Sequence, residues 1–536
     1  MLVVSLGIPE SALGEELRHE CGIAALCWLD RTAGKPGPAS RLVRGGDVAP
    51  LMPRMLLDLQ NRGQLAAGMS TYNPARSSLI ETFKQVGTVT EAFRMTRPAA
   101  HGEIIRRCGG RAAIGHTRYA TCGAESTASA QPFERHHGRR WKWFAFAFNG
   151  QLANFTALRD RLGARRDYHF SLNTDTEIVM HQLSYALRGD RPPALSTMMG
   201  SVARLFDGAY NLALLNAMGE LIVARDPMGF RPLCYAVQGR LFGAASESVA
   251  LANMGFTDVR HLSPGTMAVV RRGELSIRRF APARRRAHCF FEWVYFANVA
   301  SVIDGASVYM ARMRSGQRLA EQEDQPIGDD CIVVPVPDTA KAAADAFAYR
   351  LGIPSVEGLI RNRYVGRTFI EPSATRQAYA KSKYTPLPAV VSGRRVFVVE
   401  DSIVRSTTLA SLVDHMRNRG GAREIHVRVA CPPIVSPCFY GIDMTTLGEL
   451  FAPRFVPRPY RGRLDERTAK KMARALGVDS LRYLQPADVG DCIGIDQRRL
   501  CLGCVLGKYP TPWGDKLIRR ARRKFRAGAD DRRTYE

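Results

Sequence analysis

Hydrophobic positions in the second half of the chain alternate between two periods. Short runs of Val and Ile at 331–336 and 396–399 have the length and composition of buried strands. Each run is followed by apolar residues at helical spacing, within 339–349 and 409–416. Strand and helix alternating over 288–460 predict a parallel sheet flanked by helices, with ligands at the carboxyl ends of the strands.

The first half has a different pattern, rich in strand-forming residues and punctuated by glycine from 21 to 265. Residues 23–28 have the composition of a strand, whereas the polar, Arg-rich stretch 273–287 predicts a linker. The basic end of the chain predicts a mobile tail. We therefore divide the chain into a leader (1–20), two domains (21–265 and 288–460), a segment with paired cysteines (461–514) and a basic tail (515–536).

Residues 396–408 (VFVVEDSIVRSTT) combine a predicted strand, two carboxylates and a hydroxyl-rich turn that opens a predicted helix. Backbone N–H groups at a helix N-terminus can hold a phosphate. Glu400 and Asp401 cannot, so we expect them to bind ribose hydroxyls, or Mg²⁺ that bridges to a pyrophosphate. The alternative is an ordinary strand-to-helix connection, which the acidic pair beside several hydroxyls makes less favourable. The stretch predicts a site for a phosphorylated ribose that carries pyrophosphate.

This stretch resembles the phosphoribosyl pyrophosphate (PRPP) motif of type I phosphoribosyltransferases, in the version found in amidophosphoribosyltransferases. The resemblance implies that Thr339, within 336–341 (VPDTAK), joins Glu400 and Asp401 around Mg²⁺. Two departures from the family pattern are Ser406 in place of glycine and Pro388 in a loop that usually carries arginine. The PRPP-binding residues implied by the resemblance are Glu400, Asp401, Ser402, Arg405, Ser406, Thr407, Thr408, Arg367 and Lys383.

Cys21, in 19–23 (HECGI), would by itself be taken for a small buried residue. Four later motifs change that interpretation, because their order and spacing resemble class II (N-terminal nucleophile) glutamine amidotransferases. They are 115–121 (GHTRYAT), 148–154 (FNGQLAN), 173–177 (NTDTE) and 225–232 (RDPMGFRP).

The second resemblance implies that cleavage after Glu20 removes a propeptide, residues 1–20, and makes Cys21 the N-terminal nucleophile. Its α-amino group, with a pKa of about 8, would be the base. Leu65 replaces an acid usual in the family, and Phe148 replaces a histidine. The other roles implied are an oxyanion hole from Asn149 and Gly150, a carboxylate clamp from Arg118, and a partner for the substrate amino group from Asp175.

The chain contains twelve cysteines, and some of them are a third set of candidate functional residues. The C-x-x-C of Cys501 and Cys504 alone could be a redox pair, half of a zinc site or half of an iron–sulfur site. Its surroundings, and those of Cys289 and Cys438, resemble the iron–sulfur subtype of amidophosphoribosyltransferases. The resemblance implies that these four thiolates hold a [4Fe–4S] cluster, with structural zinc and free thiols as alternatives. We interpret the other cysteines as plain small residues: Cys27, Cys108, Cys122, Cys234, Cys331, Cys431 and Cys492.

Composition adds little to these predictions. A chain of 536 residues, 46% hydrophobic and 24% charged, suits two or three globular domains. The net charge of +26 comes from scattered basic residues, and no recognised nucleic-acid fold accompanies them, so nucleic-acid binding is not favoured. There is no apolar run of about 18 residues to span a membrane. Nucleophilic and metal-binding thiols predict a reducing compartment, the cytoplasm.

Together the resemblances imply an α+β N-terminal-nucleophile glutaminase domain, with stacked antiparallel sheets between helices, joined to an α/β type I phosphoribosyltransferase domain. They imply that glutamine and PRPP react to give 5-phosphoribosylamine, glutamate and pyrophosphate, the first committed step of de novo purine synthesis. They also imply a homo-oligomer and feedback by purine nucleotides. Two alternatives are a glutamine-hydrolysing paralogue with an altered or weakened transferase, and a PRPP-binding regulator whose leader stays uncleaved.

Overall fold

The computed structural model describes residues 21–119, 126–165, 168–172, 174–282, 285–361, 384–444, 446–456, 460 and 462–529. The leader 1–20, Arg367 and Lys383 lie outside these ranges, so the expectations about them stay predictions. Among the described residues no helix is long and apolar enough to cross a membrane.

The N-terminal domain contains two antiparallel sheets. The nucleophile strand Gly22–Trp28 lies inside the first, between Leu241–Ala245 and Ala112–Arg118. In spatial order the seven strands of the first sheet are Arg260–His261, Cys234–Gln238, Leu241–Ala245, Gly22–Trp28, Ala112–Arg118, Ala66–Tyr72 and Ile80–Val86. The six strands of the second are Glu274–Arg279, Thr266–Arg271, Leu221–Arg225, Gly208–Asn216, Phe144–Leu152 and Phe133–Arg135.

Side-chain alternation along the strands explains the layering. In the nucleophile strand, Ile23 and Ala25 face the second sheet, whereas Ala24 and Leu26 face helices. The second sheet buries its far side under helices in the same way, so the stacked-sheet fold is confirmed. The helical segments of this domain are Pro38–Arg41, Ala49–Leu51, Met52–Leu57, Val89–Ala92, Pro98–Arg107, Thr127–Ser129, Phe155–Gly163, Asp175–Ala186, Leu195–Leu205 and Ser248–Asn253.

The second sheet continues past residue 265, where the sequence placed the end of the first domain. Glu274–Arg279 pairs with Thr266–Arg271 along its full length. The interpretation of 273–287 as a linker was therefore wrong for these six residues. Their side chains are mostly exposed because the strand lies at the sheet edge, so the burial pattern that marks other strands is missing.

The C-terminal domain is built on a four-stranded parallel sheet, as predicted. Its strands, in order, are Cys331–Pro335, Arg395–Glu400, Glu424–Val429 and Ser480–Tyr483. The larger helices around it are Val308–Glu321, Lys341–Leu351, Thr407–Asn418 and Glu466–Leu476. The shorter helical segments are Glu292–Phe296, Pro388–Val391, Ala452–Arg454, Pro486–Asp488, Val489–Ile493, Gln497–Arg499 and Gly503–Leu506. Three small two-stranded sheets pair His288–Cys289 with Leu500–Cys501, Val302–Ile303 with Ala306–Ser307, and Leu359–Arg361 with Tyr384–Pro386.

The basic end of the chain is more ordered than predicted. Pro512–Arg526 is an α-helix whose N-cap, Thr511, accepts a hydrogen bond from the Gly514 N–H. Leu517 and Ile518 are buried on one face while arginines occupy the other. The expectation of a mobile tail was wrong for residues 515–526, because an amphipathic face outweighs a high charge content once it packs.

Candidate active sites

Cys21, the predicted nucleophile, directly precedes the strand Gly22–Trp28, which is the central strand of the first sheet. Gly22 pairs with Thr117, and the Cys21 thiol points to the Tyr119 carbonyl oxygen at 3.6 Å. Burial raises the pKa of the Cys21 thiol, and the charges of Arg118 and Asp175 act on it in opposite directions. A thiol with a raised pKa is a poor nucleophile until a base takes its proton.

The residues predicted for the oxyanion hole lie on the facing sheet. Asn149 and Gly150 belong to the strand Phe144–Leu152, and Gly150 has a φ of +153°. A Cβ at Gly150 would lie 2.0 Å from the Ala209 carbonyl oxygen, so only glycine fits there.

Ser246 joins this strand to the nucleophile strand, a role that sequence reasoning missed. Its hydroxyl oxygen accepts hydrogen bonds from the Ile23 N–H at 3.0 Å and from Asn149 Nδ2 at 3.3 Å. Ser246 is fully buried. No motif in the sequence marks it, because the contact depends on how the two sheets stack.

The predicted clamp for glutamine stands beside the cysteine. Arg118 ends its strand and is buried, and Asp175 is the first residue of the helix Asp175–Ala186, behind the N-cap Thr174. Burial raises the pKa of Asp175 to about 6, against the lowering effect of N–H groups from Leu152 and Thr176. A buried cation and a half-buried carboxyl near one thiol can hold the two charged ends of an α-amino acid.

Two departures from the family pattern act through backbone groups. Phe148 packs into the helix-side core, its N–H donates to Gln131 Oε1 at 2.7 Å, and its carbonyl oxygen lies 3.2 Å from His116 Nε2. The Leu65 N–H donates to the Arg118 carbonyl oxygen at 3.1 Å. Both positions therefore keep these backbone hydrogen bonds whatever side chain they carry.

A second cavity, of about 310 Å³, lies at the carboxyl ends of the strands Cys331–Pro335 and Arg395–Glu400. This volume suits a small phosphorylated ligand. Six of the residues expected to bind PRPP or Mg²⁺ line it: Thr339, Glu400, Asp401, Ser402, Arg405 and Thr408.

Oxygen atoms converge on one carboxylate in this cavity. Asp401 accepts hydrogen bonds from the Ser402 hydroxyl at 2.6 Å and from the Thr339 hydroxyl. Burial raises the pKa of the Asp401 carboxyl, while these hydrogen bonds and Arg312 lower it. Two carboxylates and a hydroxyl fit Mg²⁺, which usually takes its remaining ligands from water and substrate phosphates.

The phosphate turn is intact without glycine. Ser406 is the N-cap of the helix Thr407–Asn418 and has a φ of −81°, a conformation open to any residue. Neither Ser406 nor Thr407 is among the residues that line the cavity. Arg405 does line it, but its guanidinium pairs with Glu449, with Nε 3.2 Å from Oε2.

Sequence reasoning also missed part of this pocket wall. Asn61 and Gln64 reach it from the N-terminal domain, and Tyr295 reaches it from the short helix Glu292–Phe296. The remaining wall residues include Asp338, Arg361 and Tyr384.

A buried ion network joins the two domains next to both sites. Arg62 is fully buried and donates to Glu247 Oε1 and Glu292 Oε2, each at 2.6 Å. Arg231 lies 3.4 Å from Glu292 Oε1 and also donates to the Tyr440 carbonyl oxygen at 2.5 Å. Glu292 and Tyr440 belong to the C-terminal domain, so the interface contains charges whose partners lie across it.

The four predicted cluster cysteines come together in the C-terminal half. Cys289 and Cys501 are paired residues of a parallel two-stranded sheet. The Cys504 carbonyl oxygen accepts from the Ser436 N–H at 2.9 Å, two residues before Cys438. Burial raises the pKa of all four thiols, that of Cys289 to about 12, and the nearness of the other cysteines raises each of Cys289, Cys501 and Cys504 further.

Within the described ranges, no three His, Cys, Asp or Glu side chains meet at a point where they could hold a single metal ion. Tetrahedral zinc needs all four sulfurs about 2.3 Å from one ion. Cysteine thiolates are the ligand type that structural zinc and iron–sulfur clusters both use. The described cysteines are all free thiols.

The chain is similar to known proteins over most of its length. The profile of a glutamine amidotransferase domain matches residues 81–260. The amidophosphoribosyltransferase of Methanothermobacter thermautotrophicus is 39% identical over 507 residues, covering 93% of this chain and 96% of that protein. That of Pyrococcus horikoshii is 40% identical over 458 residues, covering 85% and 92%. The solved structure of glutamine PRPP amidotransferase from B. subtilis, complexed with ADP and GMP, has a TM-score of 0.76 at 32% identity, covering 92% and 98%.

Proposed function

Since this chain belongs to the amidophosphoribosyltransferase family, we propose a division of the family's reaction between its two sites. The enzyme uses glutamine to aminate PRPP, giving 5-phosphoribosylamine, glutamate and pyrophosphate, the first step of de novo purine synthesis. One observation supports this division. The proposed nucleophile and glutamine clamp lie in the N-terminal domain, and the carboxylate-lined pocket lies in the C-terminal domain, where Asn61 and Gln64 of the N-terminal domain complete its wall.

At the first site, the Cys21 sulfur attacks the side-chain carbonyl carbon of glutamine, and the resulting oxyanion is held by Asn149 and the Gly150 N–H. Ammonia leaves with a proton, and water then hydrolyses the thioester to glutamate. The charged groups that act most strongly on the Cys21 thiol are Arg118, Asp175 and Arg62. The two guanidinium groups stay protonated and cannot accept a proton, and we assign Asp175 to the substrate amino group. The α-amino group that cleavage after Glu20 would free is the base we assign.

At the second site, ammonia attacks C1 of PRPP, the bond from C1 to pyrophosphate breaks, and a proton is released. The pocket's hydroxyls and the N-terminus of the helix Thr407–Asn418 would bind the 5′-phosphate. Thr339, Glu400 and Asp401 would hold Mg²⁺, whose charge stabilises the departing pyrophosphate. Arg367 and Lys383 remain our predicted contacts to the substrate phosphates.

The chain is assigned to the iron–sulfur subtype, with Cys289, Cys438, Cys501 and Cys504 as ligands of a [4Fe–4S] cluster. The nearness of the four thiols, three of them on buried residues, supports the assignment. A cluster there would cross-link segments that are far apart in sequence.

Regulation and location complete the proposal. Purine nucleotides are the expected feedback inhibitors, supported by the B. subtilis relative, which is complexed with ADP and GMP. A homo-oligomer in the cytoplasm remains our expectation, the latter supported by the free thiols. The alternative of a weakened transferase rests on the Ser406 side chain, which stands where the family has glycine, and not on the backbone there, which is unstrained.

The deciding experiment follows glutamate and pyrophosphate together. Anaerobically purified enzyme should release them in a one-to-one ratio with glutamine, and Cys21→Ala should lose this reaction while ammonia still supports pyrophosphate release. Intact mass should show that the leader is absent. Glutamate without pyrophosphate would mean that the second site has another acceptor, and an intact leader in active enzyme would exclude the α-amino group as the base.

The cluster is tested separately by iron and sulfide content and by visible absorbance. Cys504→Ser should lose most of the iron, whereas Cys431→Ala, a buried neighbour that we do not assign as a ligand, should keep it. Zinc in the wild type, or equal loss of iron in both variants, would contradict the ligand set.

A further inference from the structure

Behind the PRPP pocket lies a buried arginine that neither site uses directly. Arg312 belongs to the helix Val308–Glu321 and is only 6% exposed. Its Nε donates to the Trp293 carbonyl oxygen at 3.0 Å, and its Nη2 donates to those of Tyr295 at 3.1 Å and Ala297 at 2.9 Å. One guanidinium thus binds two carbonyl groups of the short helical turn Glu292–Phe296 and that of its C-cap, Ala297.

This turn needs such a partner. Carbonyl groups at the end of a helical segment lack N–H partners within it and carry partial negative charge. The turn is closed by a wide hydrogen bond, from the Ala297 N–H to the Glu292 carbonyl oxygen at 3.0 Å. Because Arg312 is rigidly forked, it fixes the direction of three carbonyls together, which a single point charge cannot do.

The turn matters for the pocket because it carries Tyr295 into the wall. On the other side, Arg312 lines a small inner cavity together with Thr339 and Asp401. The space there is about 10 Å³, close to the minimum for one water molecule. The carbonyl groups of the turn take up Nε and Nη2 of Arg312, and the same guanidinium lines this cavity within the described part of the chain.

We propose that Arg312 is a positioning residue of the PRPP site, which fixes the turn bearing Tyr295 and places a positive charge behind the Asp401 carboxylate. The inference rests on the proposed assignment of this pocket to PRPP. It concerns substrate affinity in the second site and assigns no role in glutamine hydrolysis.

The test uses the full-length enzyme with ammonia as nitrogen donor, which removes the first site from the measurement. Arg312→Met should raise KM for PRPP about tenfold to a hundredfold, the range expected from losing charge-assisted hydrogen bonds, with a much smaller change in kcat. In the glutaminase assay its KM for glutamine should stay within about twofold of wild type. Arg318→Met is the matched control, since Arg318 lies on the same helix in exposed ion pairs.

Arg312→Lys keeps the charge but cannot serve three carbonyls at once, so its KM for PRPP should fall between wild type and Arg312→Met. If Arg312→Met does not fold, the KM for PRPP of Arg312→Lys alone tests the inference. A double-mutant cycle with Tyr295→Ala should be less than additive, because both changes act on the same wall.

An unchanged KM for PRPP in Arg312→Lys and Arg312→Met, or an additive cycle, would overturn the inference. A parallel rise in KM for glutamine would reduce Arg312 to a general structural role. The variant Asp401→Asn distinguishes a wrong role for Arg312 from a wrong assignment of the pocket to PRPP. If Asp401→Asn also leaves KM for PRPP unchanged, PRPP binds elsewhere.

Discussion

Replacing Glu292 by Gln is expected to destabilise the enzyme more than a typical substitution. Glu292 is 1% exposed and accepts hydrogen bonds from Arg62 at 2.6 and 3.3 Å and from Arg231 at 3.4 Å. Glutamine keeps the shape but removes the charge, so Arg62 would keep only Glu247 as a carboxylate partner in this network, and Arg231 would lose the charge of Glu292. Removing one partner of a buried ion pair costs about 3–5 kcal/mol, since the other charge stays buried.

The measurement is the free energy of unfolding in urea, followed by tryptophan fluorescence at neutral pH. Because Arg62 retains Glu247, we expect Glu292→Gln to lie near the lower limit, about 3 kcal/mol. Glu274→Gln is the matched control. Its partner Arg31 is 3.6 Å away and both side chains are more than half exposed, at 85% and 67%, so the expected loss is below about 0.5 kcal/mol.

The same substitution should reach the first site. Arg62 packs under the nucleophile strand, its Cδ 3.5 Å from where a Cβ of Gly22 would lie. KM for glutamine should therefore rise in Glu292→Gln and stay unchanged in Glu274→Gln. A loss of less than about 1 kcal/mol, equal to that of many surface changes, would refute the view that this network locks the domains together.

Three further outcomes follow from the sites. Because the Asp175 carboxyl has a pKa raised to about 6 and must be ionised to hold the substrate amino group, KM for glutamine should increase as pH falls through 6. The variant Asp175→Asn should bind glutamine poorly at every pH. A KM for the wild type that does not change between pH 5 and 7 would contradict this role. Ser246→Ala removes the hydroxyl oxygen that accepts from both the Ile23 N–H and Asn149 Nδ2. The kcat/KM for glutamine should therefore fall about 10²-fold while the ammonia-dependent reaction is retained. Equal losses in the two reactions would indicate misfolding instead. Ser406→Gly should change KM for PRPP by less than about twofold, because Ser406 is unstrained and a glycine N-cap costs only a few tenths of a kcal/mol; a large improvement would show that the serine does crowd the phosphate.

The sequence predicted elements whose signal is local. The run Val396–Val399 is fully buried, and Leu409, Leu412 and Met416 face the core, as their spacing indicated. The sequence-based prediction failed where burial is partial. Glu274–Arg279 is an edge strand with a polar composition, and the helix Pro512–Arg526 has only a narrow apolar face among its arginines. In both cases neighbouring structure, which the local pattern does not contain, decides the outcome.

The same distinction applies to the sites. Cys21, Asn149 and Asp401 could be found because the chemistry requires their residue types next to recognisable turns. Ser246 and Tyr295 could not, since Ser246 acts through a contact with Asn149, 97 residues away in sequence, and Tyr295 lines a pocket whose wall comes from both domains.

The segment 61–65 explains why the two sites require one another's domain. Asn61 and Gln64 complete the wall of the PRPP pocket, while the Leu65 N–H binds the carbonyl oxygen of Arg118, the predicted glutamine clamp. Between them, Arg62 is held by a carboxylate from each domain. Separating the domains would open the pocket wall and strip a buried cation of one partner, a cost of several kcal/mol. A short stretch of the first domain is therefore structurally part of both sites, and whatever displaces it acts on glutamine and PRPP together.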